Sequence, residues 1–238
     1  MNKIKTIIAL IASMMLFSSA ANSVEFKVGL SGNASGYYAN AKETIKGTGA
    51  DRTSNAEAVA LFHYASGFVE VGSEELMGLS IGLSYAPEVA SLPTETRLIQ
   101  NCTDDNGASC TSYSSGDTGT QKIDGKVVDQ LVLYATLPVG STGAYGKLGF
   151  LRATLETNEL LATGSKYEDV DLEAIVVGAG YEGSIGSNAF WRIEGTYHQF
   201  DDVRVNGSEA NSSSDSSTNR IDAEIGGVNA ALSIGYKF

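Results

Sequence analysis

The residues with the most direct chemical reach in this chain are two histidines and two cysteines. His198 is followed by Asp201 and Asp202, and His63 precedes Ser66. A nucleophile, a base and an orienting group act together only within mutual hydrogen-bond reach. On an extended strand His198 and Asp202 share a face but stand about 13 Å apart. A catalytic set would need partners from other segments, so no catalytic residue is assigned. His198 is the position that a lipid-modifying enzyme, the rival reading, would use. Cys102 and Cys110 lie in one polar stretch. Behind an export leader an even cysteine count favours a disulfide, a loop staple worth at most about 2–3 kcal/mol. A metal pair is the weaker reading, because no His or third Cys lies nearby. No cofactor and no metal site is expected, and no twelve-residue calcium loop is present.

Charged residues recur at alternating positions among apolar ones: Lys27, Lys147, Glu182, Arg192, Glu194 and Lys237. Glu182 ends one segment and Arg192 begins the next, and Arg192 and Glu194 are two apart on one face. Such residues belong together only if the segments share an interior. There they must be paired or hydrated, since an isolated buried charge costs several kcal/mol. The expected network comprises Lys147, Glu182, Arg192, Glu194 and Lys237. It reads as a plug of ion pairs that stiffens the interior. If the pairs exchange partners, a narrow path for small ions opens.

The elements that would position these charges are strands, because the hydrophobic period is two. Leu232, Ile234, Tyr236 and Phe238 alternate with Ser233, Gly235 and Lys237. The pattern recurs near residues 25–39, 76–86, 127–139, 144–157, 172–183 and 189–203. Over 57–70 it is weaker, with Ala58, Ala60, Phe62, Tyr64 and Phe68 taken as the apolar face beside Ser66. Arg152 falls on an apolar face, which requires either a bulge or a strand that has already left the hydrocarbon. That makes eight strands. The connections alternate short (Val71–Glu75, Gly140–Gly143, Gly183–Asn188) with long (Asn40–Ala56, Pro87–Lys126, Asn158–Asp171, Asn206–Arg220). Tight turns on one side and long loops on the other are the asymmetry of a transmembrane barrel. Pro87–Lys126 has room for a further hairpin around Gln121–Gln130, projecting as extramembrane sheet or making ten strands.

Residues 1–23 form a three-part export signal: Lys3 and Lys5, an apolar run from Ile7 to Phe17, then small residues with cleavage near Ala20 to Ser23. The run is too short for a spanning helix. Residues 24–238 are then one domain. Net charge is −12, and −14 once Lys3 and Lys5 are removed. Such a surface repels phosphate backbones, so nucleic acid is excluded as a partner. No later segment is apolar for long enough to span as a helix. A membrane location therefore demands a closed sheet, the only other structure that pairs every backbone group. The aromatics Tyr236 and Phe238 at one level, and Tyr37 or Tyr38, Tyr85 and Tyr197 at the other, fit two interfacial girdles.

The ending Leu232-Ser-Ile-Gly-Tyr-Lys-Phe238, and Tyr134-Ala-Thr-Leu-Pro-Val-Gly140 followed by Tyr145-Gly-Lys-Leu-Gly-Phe150, resemble the small outer-membrane β-barrel family typified by the OmpA transmembrane domain and OmpX. The resemblance covers the mature chain. It implies an all-β fold: a closed, antiparallel, up-and-down transmembrane barrel in a Gram-negative outer membrane. It makes Leu232, Ile234, Tyr236 and Phe238 the signal read by the barrel-assembly machinery. Periplasmic chaperones, outer-membrane lipid and lipopolysaccharide are the other implied partners. No peptidoglycan-binding domain is expected after Phe238. The expected function is structural, with exposed loops and at most a low-conductance, porin-like path. A lipid-modifying enzyme and a loop-mediated adhesin are the alternatives.

Overall fold

The computed structural model describes residues 24–46, 52–92, 95–100, 118–160, 168–206 and 218–238. The export signal and the pair Cys102/Cys110 lie outside the described residues. The strands are β1 (Val24–Lys46), β2 (Arg52–Ser73), β3 (Ser80–Ser91), β4 (Glu95–Gln100), β5 (Thr118–Pro138), β6 (Ala144–Leu160), β7 (Val170–Ile185), β8 (Ala189–Phe200), β9 (Val203–Asn206) and β10 (Thr218–Lys237). Eight of them pair antiparallel in the order β1-β2-β3-β5-β6-β7-β8-β10, and β10 pairs back onto β1 to close the ring. The other two add sheet at one end: β4 pairs with the outer part of β5, and β9 continues β8 along β10. The extra hairpin expected within Pro87–Lys126 is thus an extension beyond the ring.

The register fixes the shape of the ring. From Glu25 the paired residues run through Gly72, Ser80, Thr136, Lys147, Gly178, Thr196 and Asn229 to Ser35, ten residues further along β1. Eight strands with a shear of ten tilt by about 40° around a backbone radius of about 8 Å. Side chains fill an interior of that size.

The apolar stripe faces outward. Leu30, Ile81, Leu133, Leu148, Ile175, Val177, Ile193, Leu232 and Ile234 are all exposed, several by more than half of their surface, which no water-soluble core would allow. Tyr236, Phe238, Trp191 and Tyr181 girdle the end with short turns, with Tyr236 against Phe238 and Tyr181 against Trp191 at centroid distances of 4.9 and 5.7 Å. Tyr38 and Tyr197 mark the other edge. Ten residues separate Tyr236 from Gly226, the partner of Tyr38. At this tilt they span about 25 Å, the height of an outer-membrane apolar band.

Three expectations need correction. On β2 the face carrying Phe62, Tyr64, Ser66 and Phe68 lines the interior. Val59 and Leu61 face outward and are 80% and 76% exposed. The aromatics of that face fill the lumen instead of meeting lipid. Second, β3 begins at Ser80, later than the alternation implies. Glu74–Leu76 form a single 3-10 turn, and Met77 and Gly78 take left-handed φ values of 58° and 76° to reverse the chain. Third, the loop between β1 and β2 is short, because those strands extend to Lys46 and from Arg52. Arg152 lies on the outward face, unbulged on its own strand and paired with Asp171 at 2.6 Å. The nearby bulge belongs to β5 between Val128 and Leu131, where Asp129 has φ 55°. Strand β6 has therefore left the apolar band at Arg152.

Candidate functional site: the barrel lumen

The interior is built in three storeys. The one nearest the short turns is ionic. Arg192 on β8 reaches across the lumen to Glu70 on β2 with two parallel bonds, Nη1 to Oε1 at 2.5 Å and Nη2 to Oε2 at 2.8 Å. Its Nη2 also donates to Glu182 Oε2 at 2.7 Å. Glu182 is the direct partner of Arg192 across the β7–β8 turn. Lys27 and Lys237 are directly opposed on β1 and β10, an arrangement that repels by itself. Glu182 offsets it by accepting from both, at 3.1 and 2.6 Å, and Glu25 lies 3.0 Å from Lys27. A second cluster sits one step deeper: Lys147 and the Tyr145 hydroxyl donate to the two oxygens of Glu194 at 2.7 and 2.9 Å.

Aromatic rings hold this layer in place. The Arg192 guanidinium is 5.2 Å from the ring centroids of Phe68, Tyr145 and Phe190. Tyr134 donates to Glu70 Oε1 at 2.8 Å and lies under the Lys147 ammonium. Glycine makes room for them. A Cβ at Gly82 would collide with the Tyr134 ring and Glu70 Cγ, and one at Gly235 with the Phe190 ring. Glu70 is the most buried carboxylate of the network, 1% exposed. A bidentate pair with an added phenol bond is the geometry that compensates for its desolvation.

The middle storey is built mainly of small polar residues. Ser31, Asn33, Ser66, Asn229 and Ser233 surround a cavity of about 40 Å³ that also touches Arg192, Lys147, Glu194 and His198. Arg192 Nε is the one buried side-chain polar atom without a partner among the described residues. A polar space of that size holds a few waters. The outer storey is apolar: Leu151, Ala153, Leu172, Ala174, Val176, Phe200 and Val203 pack together, with Tyr37 against them.

Every residue expected in the network lies in the lumen. Arg192, Glu182 and Lys237 form one connected group, and Lys147 with Glu194 a neighbouring one. Lys27 joins the first group. Glu70, its central anion, escaped sequence reasoning because its strand was read with the wrong face inward. The signal was present: Glu70 shares parity with Ser66 and Phe68, and a carboxylate there is incompatible with lipid. The terminal residues Leu232, Ile234, Tyr236 and Phe238 all face outward. His198 is buried in the lumen, its Nδ1 3.1 Å from the Tyr37 hydroxyl and its Nε2 3.0 Å from Thr196 Oγ1. Asp201 and Asp202 lie past the end of β8, and neither carboxylate hydrogen-bonds to His198. His63 points outward from β2. No group of three His, Cys, Asp or Glu among the described residues could hold a metal.

An eight-stranded closed ring with a shear of ten, an outward apolar band and an ionic interior decides the architecture. The fold is that of an outer-membrane β-barrel. No protein-family model and no curated protein matches the chain. Among solved structures, the outer membrane protein OprG from Pseudomonas aeruginosa aligns over 91% of this chain and 96% of its own, with 12% identity and a TM-score of 0.53. The attachment invasion locus protein Ail of Yersinia pestis (15% identity, 88% and 99% covered, TM-score 0.35) and the outer membrane protease OmpT of Escherichia coli (8%, 92% and 98%, 0.39) match less well. At these identities the OprG likeness speaks for the barrel fold, not for an activity. The barrel's short turns, Glu74–Leu79, Val139–Gly143 and Gly186–Asn188, all lie at the end shared by Val24 and Phe238.

Proposed function

We propose that the protein resides in the outer membrane of a Gram-negative bacterium as a structural barrel with a sealed lumen, presenting its long connections outside the cell. The observation that carries this reading is the stacking of the Arg192–Glu70–Glu182 network below an apolar storey around Leu151 and Phe200. An ion would have to displace a bidentate pair and then cross a mostly apolar layer around Leu151, Val176 and Phe200, two barriers in series. The export signal, the assembly role of Leu232, Ile234, Tyr236 and Phe238, and contact with lipopolysaccharide belong to the same reading. We assign no catalytic role to His198. Both its ring nitrogens face hydroxyls, and no carboxylate among the described residues orients it.

Planar-bilayer recording tests the sealed lumen. The purified barrel should give no current steps above leak; steady steps in the wild type would reinstate the narrow channel. That second reading is favoured by one feature: Glu194 lies on the same strand face as Arg192, two residues away, so a switch of partner is sterically short. Lipid A mass spectra from cells with and without His198→Ala test the enzyme reading, and identical spectra are expected.

A further inference from the structure

The ring is joined unevenly. Strands β2 and β3 pair over only six residues, Gly67–Gly72 with Ser80–Tyr85, whereas every other neighbouring pair in the ring runs for ten or more. Outward of Gly67, β2 continues for fifteen residues to Arg52 and pairs with β1 alone among the described residues. The outer half of β3 pairs with β5 alone. Pro87 stands just past the last joined residue and has no N–H to offer β2. Val59, the partner of Tyr38 at the outer girdle, is eight residues beyond Gly67, about 20 Å of height at this tilt. A seam therefore runs up the outer part of the apolar band.

Side chains cross the seam where the backbone does not. Phe62 and Tyr64 of β2 pack on Ala86, Val89 and Ala90 of β3, and Gln130 on β5 donates to the Tyr64 hydroxyl at 3.3 Å. These contacts hold the two edges near each other and pair none of their peptide groups. In an antiparallel sheet every second residue turns both its N–H and its C=O to the same neighbour, so alternate residues of β2 face the seam. Hydrocarbon offers such groups no partner, and a spanning structure survives only where they are paired or wetted. Polar side chains flank the same line. His63 projects outward from β2, four residues beyond Gly67, and Asp129, in the bulge of β5, accepts from Tyr85 at 2.7 Å. An imidazole and a carboxylate at that depth are costly against lipid and stable against water. On the inner side, Tyr64 and Ser66 of β2, Ser84 of β3 and Gln130 line the polar lumen cavity.

We propose that the seam between β2 and β3 is a hydrated cleft, through which water from the outer surface reaches the free edge of β2 and, at Ser66, the lumen cavity. Water both donates and accepts, which is what an edge of N–H and C=O groups requires. The cleft is blind. Arg192 and Glu70 close the lumen inward of the cavity, so wetting from the side is compatible with a barrel that passes no current. It also supplies the cavity by a way round the apolar storey, whose residues stand on β5 to β9, away from the seam. The inference rests on outer-membrane residence and not on the sealed axis.

The test is hydrogen exchange on the purified full-length barrel in lipid nanodiscs, read amide by amide by nuclear magnetic resonance. A water-soluble nickel chelate and dissolved oxygen, which concentrates in hydrocarbon, serve as relaxation probes. Residues 59–66 of β2 should alternate, with every second amide exchanging roughly tenfold or more faster than its neighbours. The fast amides should be relaxed by the chelate. Amides of Ala34–Tyr38 on β1 and Val228–Leu232 on β10, paired on both sides, should all stay protected. Even protection along 59–66 would overturn the cleft, because it would mean that the seam closes in the bilayer. Fast exchange of consecutive residues would overturn it too, because that pattern is fraying of the whole strand. Relaxation of the fast amides by oxygen and not by the chelate would put lipid, and not water, in the seam. Membrane fractionation separates the two claims: a protein absent from the outer membrane fails the residence reading, whereas a resident one with an evenly protected β2 fails this inference alone.

Discussion

At the scale of single residues, Glu70 is the one on which the lumen turns. It accepts three hydrogen bonds from two side chains and is almost wholly buried. Glu70→Ala leaves Arg192 with only Glu182 in a buried site, which should destabilise the barrel by about 3–5 kcal/mol. Lys237→Ala removes one of three cations around a more exposed Glu182 and should cost about 1 kcal/mol or less. Urea unfolding in lipid vesicles, followed by gel mobility, would rank the two; equal effects would refute a network centred on Glu70. On the opposite face the logic reverses. Leu232→Arg places a cation in hydrocarbon and should cost about 2–4 kcal/mol, falling toward zero for the same change near either girdle.

At the scale of elements, the strands that leave the membrane set a pH response. Arg204 lies against Asp222 and, with Arg220, holds its carboxyl below the ordinary range. A carboxylate depressed in the folded state contributes stability above its unfolded value, and the contribution fades as pH falls through the depressed one. The β9–β10 pairing should therefore be unaffected at neutral pH and loosen only in acid, below the usual aspartate range. Hydrogen exchange at Val203–Asn206 measured against pH would show it, and Asp222→Asn should abolish the pH dependence. A loosening centred near neutrality would contradict the assignment. At the edge of the band the Asp171 carboxylate, 2.6 Å from Arg152, raises the guanidinium further.

At the scale of the molecule, closure and filling are one fact. A shear of ten in eight strands leaves a lumen that rings and salt bridges occupy, and glycines at 29, 82 and 235 stand where the Phe68, Tyr134 and Phe190 rings need the space. Gly82→Val should push Tyr134 off Glu70 and lower the temperature at which the folded band disappears from gels. Widening the outer storey with Leu151→Ala and Phe200→Ala should leave conductance at leak, because the ionic storey still blocks the path. Conductance in that variant would place the barrier entirely at the apolar layer.

The alternation of Leu232, Ile234 and Tyr236 with Ser233, Gly235 and Lys237, repeated along the chain, was enough by itself to determine strands and an amphipathic wall; whether eight or ten strands form the ring was decided only by the pairing of β4 outside it. Period two is a local property of the backbone, and a run of adjacent residues displays it. Those residues could not determine which face of β2 was interior, because aromatics stand on either side of a barrel wall and only neighbours reveal which. Nor could they show that Arg192 crosses the lumen to Glu70, 122 residues away, or that Arg204 and Arg220 flank one aspartate outside the membrane. Those meetings depend on the shear, which is a sum over all eight pairings and is written in no single segment.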